Sequence, residues 1–190
     1  FFEAQDLYSM FTIADDGLVA IDGDTLDFEN DTFDQLASFF AQYHDIENGL
    51  KIYLEFAKND FNGKEPFFTE PQHARAFTIG FQKLYEKSNN RFFRIMYEHT
   101  TLTRSNTSQF RGGESFYEHR ANIHGYTNQG QILGAGPGPG SNMDYLSFDW
   151  IKGTTIKNLF IQRINLNEDY FLRAVRDKAR HGSEYTIGYR

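Results

Sequence analysis

The sequence predicts an all-β chain that forms part of a transmembrane, antiparallel up-and-down β-barrel. Three observations favour this fold: apolar and polar residues alternate, short turns alternate with long loops, and aromatic residues make up 17% of the 190 residues. The mean hydropathy is nevertheless only −0.59. Membrane barrels combine these properties, because apolar residues alternate with polar ones along each strand and aromatic residues gather at the two membrane interfaces.

Candidate strands are marked by apolar residues at every second position. Four segments show this pattern clearly, the segments 36–46 and 156–166 alternate less regularly, and a short pattern covers 185–189. In a barrel, the apolar half of each strand faces lipid. The residues expected on that face are Ile52, Leu54, Phe56, Phe77, Ile79, Phe81, Phe93, Ile95, Leu146, Phe148 and Trp150.

The connections between these strands differ in length in a regular way. Each short turn is followed by a long loop, so antiparallel strands would place all short turns at one end of the sheet and all long loops at the other. Outer-membrane barrels have this asymmetry, with short periplasmic turns and long extracellular loops. The short turns are expected at 47–49, 87–90 and 153–155, and the long loops at 14–34, 59–73, 102–143 and 167–184.

Composition disfavours several classes of protein. The net charge of −7 argues against nucleic acid as a partner. The absence of cysteine fits an oxidising exterior, and no Gly-x-Ser-x-Gly or other nucleophile–base motif occurs, so we expect no enzyme. His119 and His124 lack an arranged carboxylate or thiolate partner, so we expect neither a metal nor a cofactor. Calcium binding by the acidic loop 14–34 stays open, although Leu26 breaks the EF-hand pattern.

Both ends of the sequence lie in apolar or strand-like patterns. Phe1 and Phe2 begin the chain, and Arg190 follows the alternating residues of the last pattern. We therefore expect residues 1–190 to be a fragment of one barrel domain, with about eight strands of a larger barrel.

The tract 125–142 reads GYTNQGQILGAGPGPGSN and predicts a shaped loop without regular structure. Glycine permits positive φ, and proline removes the amide donor that a strand ladder needs. No Gly-Lys-Ser/Thr follows, which excludes a phosphate-binding loop, and the apolar residues Tyr126, Ile132 and Leu133 disfavour a flexible linker. The glycines expected to shape the loop are Gly125, Gly130, Gly134, Gly136, Gly138 and Gly140.

The stretch 110–124 interleaves aromatic and charged side chains. A carbohydrate site needs an apolar ring surface beside groups that hydrogen-bond sugar hydroxyls or uronates. The alternative is a pore-lining strand whose charges face water and whose aromatic residues form a girdle. The candidate polysaccharide-binding residues, here and in the tract that follows, are Arg111, Glu114, Tyr117, His119, Arg120, Tyr126, Asn128 and Gln131.

A third element, Glu70, His73 and Arg75, lies at the end of a long loop. We interpret these residues as a rim anchor, in which a Glu–Arg pair ties the loop to the lumen and Pro71 fixes φ. The alternative is direct contact with a sugar or a partner.

The tract 125–142 resembles a signature of the bacterial capsule-assembly Wzi-type family, in which Gly-Tyr-Thr-Asn-x-Gly-Gln runs into Gly-Ala-Gly-x-Gly-Pro-Gly-Ser. Segment 70–76 is similar to the family's Glu-Pro-x-His-x-Arg-Ala element. Segments 34–38 and 54–60 are similar to its preceding hairpin. The resemblance covers about residues 34–172. It departs at Pro137, where an aliphatic residue is expected, and in the acidic region before Asp34.

This resemblance implies a barrel of about eighteen strands in the bacterial outer membrane. It also implies a role in holding or organising capsular polysaccharide at the cell surface. The expected partners are membrane lipid, surface polysaccharide and other outer-membrane proteins. Two alternatives stay open: a passive porin or barrel subunit of a larger outer-membrane complex, and a soluble all-β carbohydrate-active domain.

Overall fold

The computed structural model describes residues 36–59, 72–87, 90–105, 107, 115–118, 124–174 and 183–190. These residues form strands and a single short helix. The elements are β1 (Leu36–Asp45), β2 (Leu50–Asn59), β3 (Arg75–Lys87), β4 (Arg91–Thr101), β5 (Thr127–Asn128), β6 (Gln131–Ile132), β7 (Asn142–Lys152), β8 (Thr155–Asn165), α1 (Glu168–Ala174) and β9 (Ser183–Tyr189).

The seven long strands form one antiparallel sheet in the order β1-β2-β3-β4-β7-β8-β9. Strands that pair in the sheet are consecutive long strands in the chain, which is up-and-down connectivity. Within the described residues the sheet is open, with β1 and β9 at its edges. The prediction of an antiparallel all-β fold is therefore confirmed.

The predicted asymmetry of the connections is also confirmed for the described strands, whereas the predicted long loop 14–34 lies outside the described residues. The short turns after β1, β3 and β7 lie at one end of the sheet, and the long connections lie at the other. We call these the short-turn end and the loop end. At the first short turn, the amide of Asn48 donates to the Asp45 carboxylate at 3.0 Å, and Gly49 adopts a φ of 61°. These are residue types that favour a tight reversal.

Register places the eleven predicted apolar residues on one face of the sheet. Ile52 lies opposite Phe81, Leu54 opposite Ile79, and Phe93 opposite Trp150. Directly opposed residues share a face, so the alternation is continuous from strand to strand. The described residues leave this apolar face largely uncovered, with Ile79 45% and Trp150 50% exposed.

The opposite, polar face carries cross-strand hydrogen bonds and an ion pair. Arg94 Nε lies 2.5 Å from the Asp149 carboxylate, which is almost completely buried. The Tyr53 hydroxyl donates to Glu98 at 2.5 Å. The Tyr53 ring reaches Glu98 across Gly80, where any Cβ would overlap the ring. Glycine at this position therefore permits the hydrogen bond between β2 and β4 to form.

The buried apolar cluster lies at the loop end of the polar face. It consists of Ala76, Leu102 and Phe116, each at most 4% exposed, with Tyr117 and Ala135 packed against it. Ala76 belongs to β3 and the others belong to the loop between β4 and β7. The loop is therefore packed onto the polar face, while the apolar face has no comparable cover among the described residues.

Two loop predictions need correction. The tract 125–142 is not wholly irregular, because β5 and β6 form a small hairpin and β7 already begins at Asn142. Gln129 and Gly130 have φ values of 50° and 77°, and this two-residue turn allows the pairing. The proline-containing part 136–140 forms no strand.

The predicted loop 167–184 contains helix α1 and the first residues of β9. The Asn167 side chain accepts the Tyr170 amide at 3.1 Å and so caps the helix. The acidic residues Glu168 and Asp169 occupy its first turn, where negative charge interacts favourably with the positive end of the helix dipole. In the part of the chain that the structure describes, no helix combines the length and the apolar character required to span a membrane.

Candidate functional site

Segments 115–118 and 124–141 meet over the loop end of the polar face, and we call them the loop cap. Two hydrogen bonds tie the cap to the end of β2 and to the residue that follows β4. The Leu102 amide donates to the Ser141 carbonyl at 2.8 Å, and the Asn59 side-chain amide donates to the Ser115 carbonyl at 3.4 Å. Because Asn59 and Ser141 are 2% exposed, these contacts fix the cap at buried positions.

Tyr117 is at the centre of the loop cap. Its ring stacks on Tyr126 with centroids 5.8 Å apart and meets the edge of Phe116 at 4.9 Å. Its hydroxyl accepts the Ala135 amide at 3.0 Å. Burial raises the pKa of the Tyr117 hydroxyl, and the charge of Glu55 adds to the effect. The hydroxyl therefore keeps its proton at neutral pH.

Two glycines of the tract allow close approach to Tyr117. Gly125 has a φ of 56°, and a Cβ there would overlap the Tyr117 carbonyl oxygen. A Cβ at Gly134 would overlap the tip of the Tyr117 ring. The predicted shaping role of these two glycines therefore has a specific physical cause in the structure.

A polar network around Glu168 joins the loop cap to helix α1. Glu168 accepts hydrogen bonds from Asn142 at 2.8 Å and Thr103 at 3.2 Å. The Glu168 amide donates to the Gly140 carbonyl at 2.7 Å. These bonds hold the loops between β4 and β7 and between β8 and β9 side by side.

Asp169 is the most buried charged group of this network, at 2% exposure. Its carboxylate accepts the Arg104 amide at 2.9 Å, and the Arg104 guanidinium nitrogen lies 3.7 Å away. Burial nevertheless dominates and raises the pKa of Asp169. The network thus contains a carboxyl group whose charge is disfavoured by its surroundings.

A pocket of about 270 Å³ lies between the loop cap and the polar face of β2 and β3. The sheet contributes Glu55 and Thr78, and the loop contributes Phe116, Tyr117 and Leu133. The pocket therefore combines aromatic rings, a hydroxyl and a carboxylate in one concave surface. This is the mixture of apolar walls and few polar groups that is typical of small-ligand sites.

The structure brings part of the predicted polysaccharide site together. Tyr117 lines the pocket, and Tyr126 stacks on it while staying 44% exposed. Asn128 and Gln131 pair across the β5–β6 hairpin, and both are exposed. The other candidates lie outside the described residues: Arg111, Glu114, His119 and Arg120.

The predicted rim anchor is described only in part. His73 Nδ1 lies 3.3 Å from the Thr107 hydroxyl, which links the β2–β3 connection to the β4–β7 loop. The Arg75 guanidinium lies over the Phe77 ring, 5.1 Å from its centroid. Glu70 lies outside the described residues, so the proposed Glu70–Arg75 pair stays a prediction.

Sequence reasoning missed Glu55 and Thr78 as candidate site residues. Both lie at alternating polar positions of strands, and these positions could have identified them as facing away from the apolar side. Their proximity to Tyr117 depends on how the distant loop folds back, and no local pattern reports that.

A separate polar cluster lies at the loop end of the apolar face. Asp144 accepts from the Tyr97 hydroxyl at 2.8 Å, pairs with His99 at 2.8 Å and pairs with Arg163 at 2.5 Å. The apolar surface therefore ends there in a hydrogen-bonded group that spans three strands.

Among the described residues, no three histidine, aspartate or glutamate side chains come together as a metal site. Comparison of the whole chain with known proteins finds no matching family model, no matching curated protein and no matching solved structure.

Proposed function

We propose that this chain is part of a bacterial outer-membrane β-barrel that binds or organises surface polysaccharide and catalyses no reaction. The observation that carries the membrane assignment is the aromatic-rich apolar face of an up-and-down sheet, which the described residues leave largely uncovered. A water-soluble sheet normally packs its apolar face on a core. Here the buried cluster and the Arg94–Asp149 ion pair both lie on the other face.

The dimensions of the sheet support this proposal. Six of the seven long strands have 10 to 13 residues. A strand that crosses a bilayer at a tilt needs about 9–11 residues. On the apolar face, Arg91 and Lys152 lie at the short-turn end and the Asp144 cluster lies at the loop end. Charged groups at both ends suit a face whose centre lies in hydrocarbon.

The assignment to polysaccharide rests on the loop cap. The cap lies at the loop end, which is the extracellular end in outer-membrane barrels. It presents Tyr126, Asn128 and Gln131 at its surface and covers a pocket of about 270 Å³. The resemblance of tract 125–142 to the Wzi-type signature supports the same function and suggests capsular polysaccharide as the polymer.

The proposal is tested in an encapsulated bacterium that lacks its own copy of this protein. We expect the native protein to restore retention of the capsule layer, and the double substitution Asn128→Ala with Gln131→Ala to reduce it while barrel insertion stays normal. Thr154→Ala, an exposed polar position at the short-turn end, is the matched control. Full capsule retention by the double variant would contradict the binding role of the cap surface.

A passive pore is the second candidate, and the hydrogen-bonded polar face favours it. Arg94 and Glu98 would then line a water-filled lumen. Conductance of the purified protein in planar bilayers distinguishes the two: a steady open channel together with no effect on capsule retention supports the pore.

A further inference from the structure

We propose that the pocket beneath the loop cap is a subsite for a single sugar ring that carries no carboxylate, and that Glu55 sets this preference. This inference rests on the proposed polysaccharide function and specifies which sugar the site accepts.

The size of the pocket limits its occupant. At about 270 Å³ it lies near the lower limit of about 300 Å³ for small-molecule sites. It therefore accommodates one ring and not a folded stretch of polymer.

The walls of the pocket offer the contacts that a pyranose uses. Tyr117 supplies most of the aromatic surface from the loop, because Phe116 is only 4% exposed, and Leu133 supplies aliphatic surface. Apolar rings pack against the C–H faces of sugars, while hydroxyl groups at the ring edge need hydrogen-bond partners.

Tyr117 and Glu55 provide those partners in complementary form. The Tyr117 oxygen already accepts from the Ala135 amide, so its own hydrogen can be donated to a sugar oxygen. The Glu55 side chain is exposed toward solvent and accepts hydrogen bonds when ionised. One donor and one acceptor at the same ring match a pair of sugar hydroxyls.

Charge then decides between sugar classes. Among the described residues that line the pocket, Glu55 is the one charged side chain. A uronate would place a second negative charge beside it in a partly dehydrated space, where like charges repel more strongly than in water. A neutral hexose avoids this repulsion, and an amino sugar gains attraction. The subsite therefore discriminates by charge and not by ring size.

The experiment uses three monosaccharide probes that share one ring and differ in charge: methyl glucoside, methyl glucosaminide and methyl glucuronide. Binding to the purified protein in detergent micelles is titrated by saturation-transfer NMR. We expect the native protein to bind the glucuronide about tenfold more weakly than the glucoside, as one like charge at short range in a partly solvated site predicts. The glucosaminide should bind at least as well as the glucoside.

Glu55→Gln removes the charge but keeps the shape and hydrogen-bonding capacity. It should raise glucuronide affinity until the difference is within about twofold. The matched control is Glu86→Gln, an exposed glutamate at the short-turn end of β3, which should leave the tenfold difference intact.

Three results would overturn the subsite: glucuronide binding as tight as glucoside binding in the native protein, no change on Glu55→Gln, or no binding of any probe. None of these decides the proposed function, because capsule retention is measured with the intact polymer. Loss of retention in the cap variants together with any of the three would leave the polysaccharide function standing without this subsite.

Discussion

Tyr117 holds the loop cap together through three contacts at different parts of its side chain. Its ring stacks on Tyr126 and forms a T-shaped contact with the Phe116 ring, and its hydroxyl accepts a hydrogen bond from the Ala135 amide. Tyr117 itself has a φ of 72°, which a non-glycine residue adopts only when its surroundings compensate. A residue predicted to touch sugar is therefore also a structural centre, and replacing it would alter the whole cap.

Gly125→Ala should destabilise the loop cap by at least about 1–2 kcal/mol, because alanine disfavours the left-handed backbone conformation. Its Cβ would also overlap the backbone carbonyl of Tyr117. Limited proteolysis at the cap should show faster local cleavage. Gly136→Ala is the matched control, since no atom lies within 4 Å of a Cβ there and φ is not positive. Equal cleavage rates for the two variants would refute the packing role.

The buried carboxyl of Asp169 should make the stability of α1 depend on pH. Its raised pKa means that, just above the usual value of about 3.9, the folded state binds more protons than the unfolded state. Stability therefore falls as pH rises from that value through the raised pKa and stays lower beyond it.

Protease sensitivity of the α1 segment, measured across this pH range, tests the direction. Asp169→Asn should flatten the dependence, whereas Glu47→Gln at the exposed first short turn should not. A segment that becomes more resistant as pH rises would show that the charge is favoured and not disfavoured.

At the scale of elements, the strands and their connections were predictable because their signals are local. Alternation with a period of two survives wherever one face meets an apolar phase, as at Ile52, Leu54 and Phe56. Turns such as 46–49 can be recognised from their Asn and Gly residues. Helix α1 was missed because only the Asn167 cap and two acidic residues signal it, and seven residues are too few to show helical periodicity.

The loop cap and its pocket could be predicted only in part. The glycine-rich composition predicts positive φ, which Gly125, Gly138 and Gly140 adopt, but it does not predict the β5–β6 hairpin. The contact between Asn59 and Ser115, 56 positions apart, depends on long-range packing that a local pattern does not encode. For the same reason, no local pattern identifies Glu55 as a residue of the pocket.

The two ends of the sheet should lie on opposite sides of the membrane. Because the chain has no cysteine, single cysteines can be introduced on a clean background. Leu133→Cys and Asn128→Cys at the loop end should react with an impermeant maleimide on intact cells. Asn48→Cys and Thr154→Cys at the short-turn end should react only after the outer membrane is permeabilised.

Labelling of all four positions on intact cells would contradict a membrane between the two ends. Labelling of the short-turn pair alone would show the opposite orientation.

The molecule as a whole has two faces that require different surroundings. The apolar face exposes Ile52, Leu54 and Ile79, while on the polar face Tyr53 and Arg94 hydrogen-bond to partners on other strands. A sheet of this kind gains stability when lipid covers one face and water or protein covers the other.

Leu54→Arg on the apolar face should destabilise the inserted protein by about 2–4 kcal/mol if the side chain lies near the bilayer midplane. Urea unfolding from lipid vesicles measures the change. Gln82→Arg on the polar face is the control and should cost far less, because that face accommodates charge. A similar cost for both substitutions would contradict the assignment of the faces.

The single tryptophan of the chain makes the surroundings of the apolar face measurable by fluorescence. Trp150 is the only tryptophan of the chain, and it lies on that face 5.6 Å from the Phe93 ring. All tryptophan fluorescence of residues 1–190 therefore comes from one position in the sheet, close to the short-turn end. Transfer from urea into vesicles should shift this emission to shorter wavelength, and brominated acyl chains should quench it. Quenching of Trp150 would therefore report how deeply this part of the sheet is inserted, and the chain needs no introduced fluorophore.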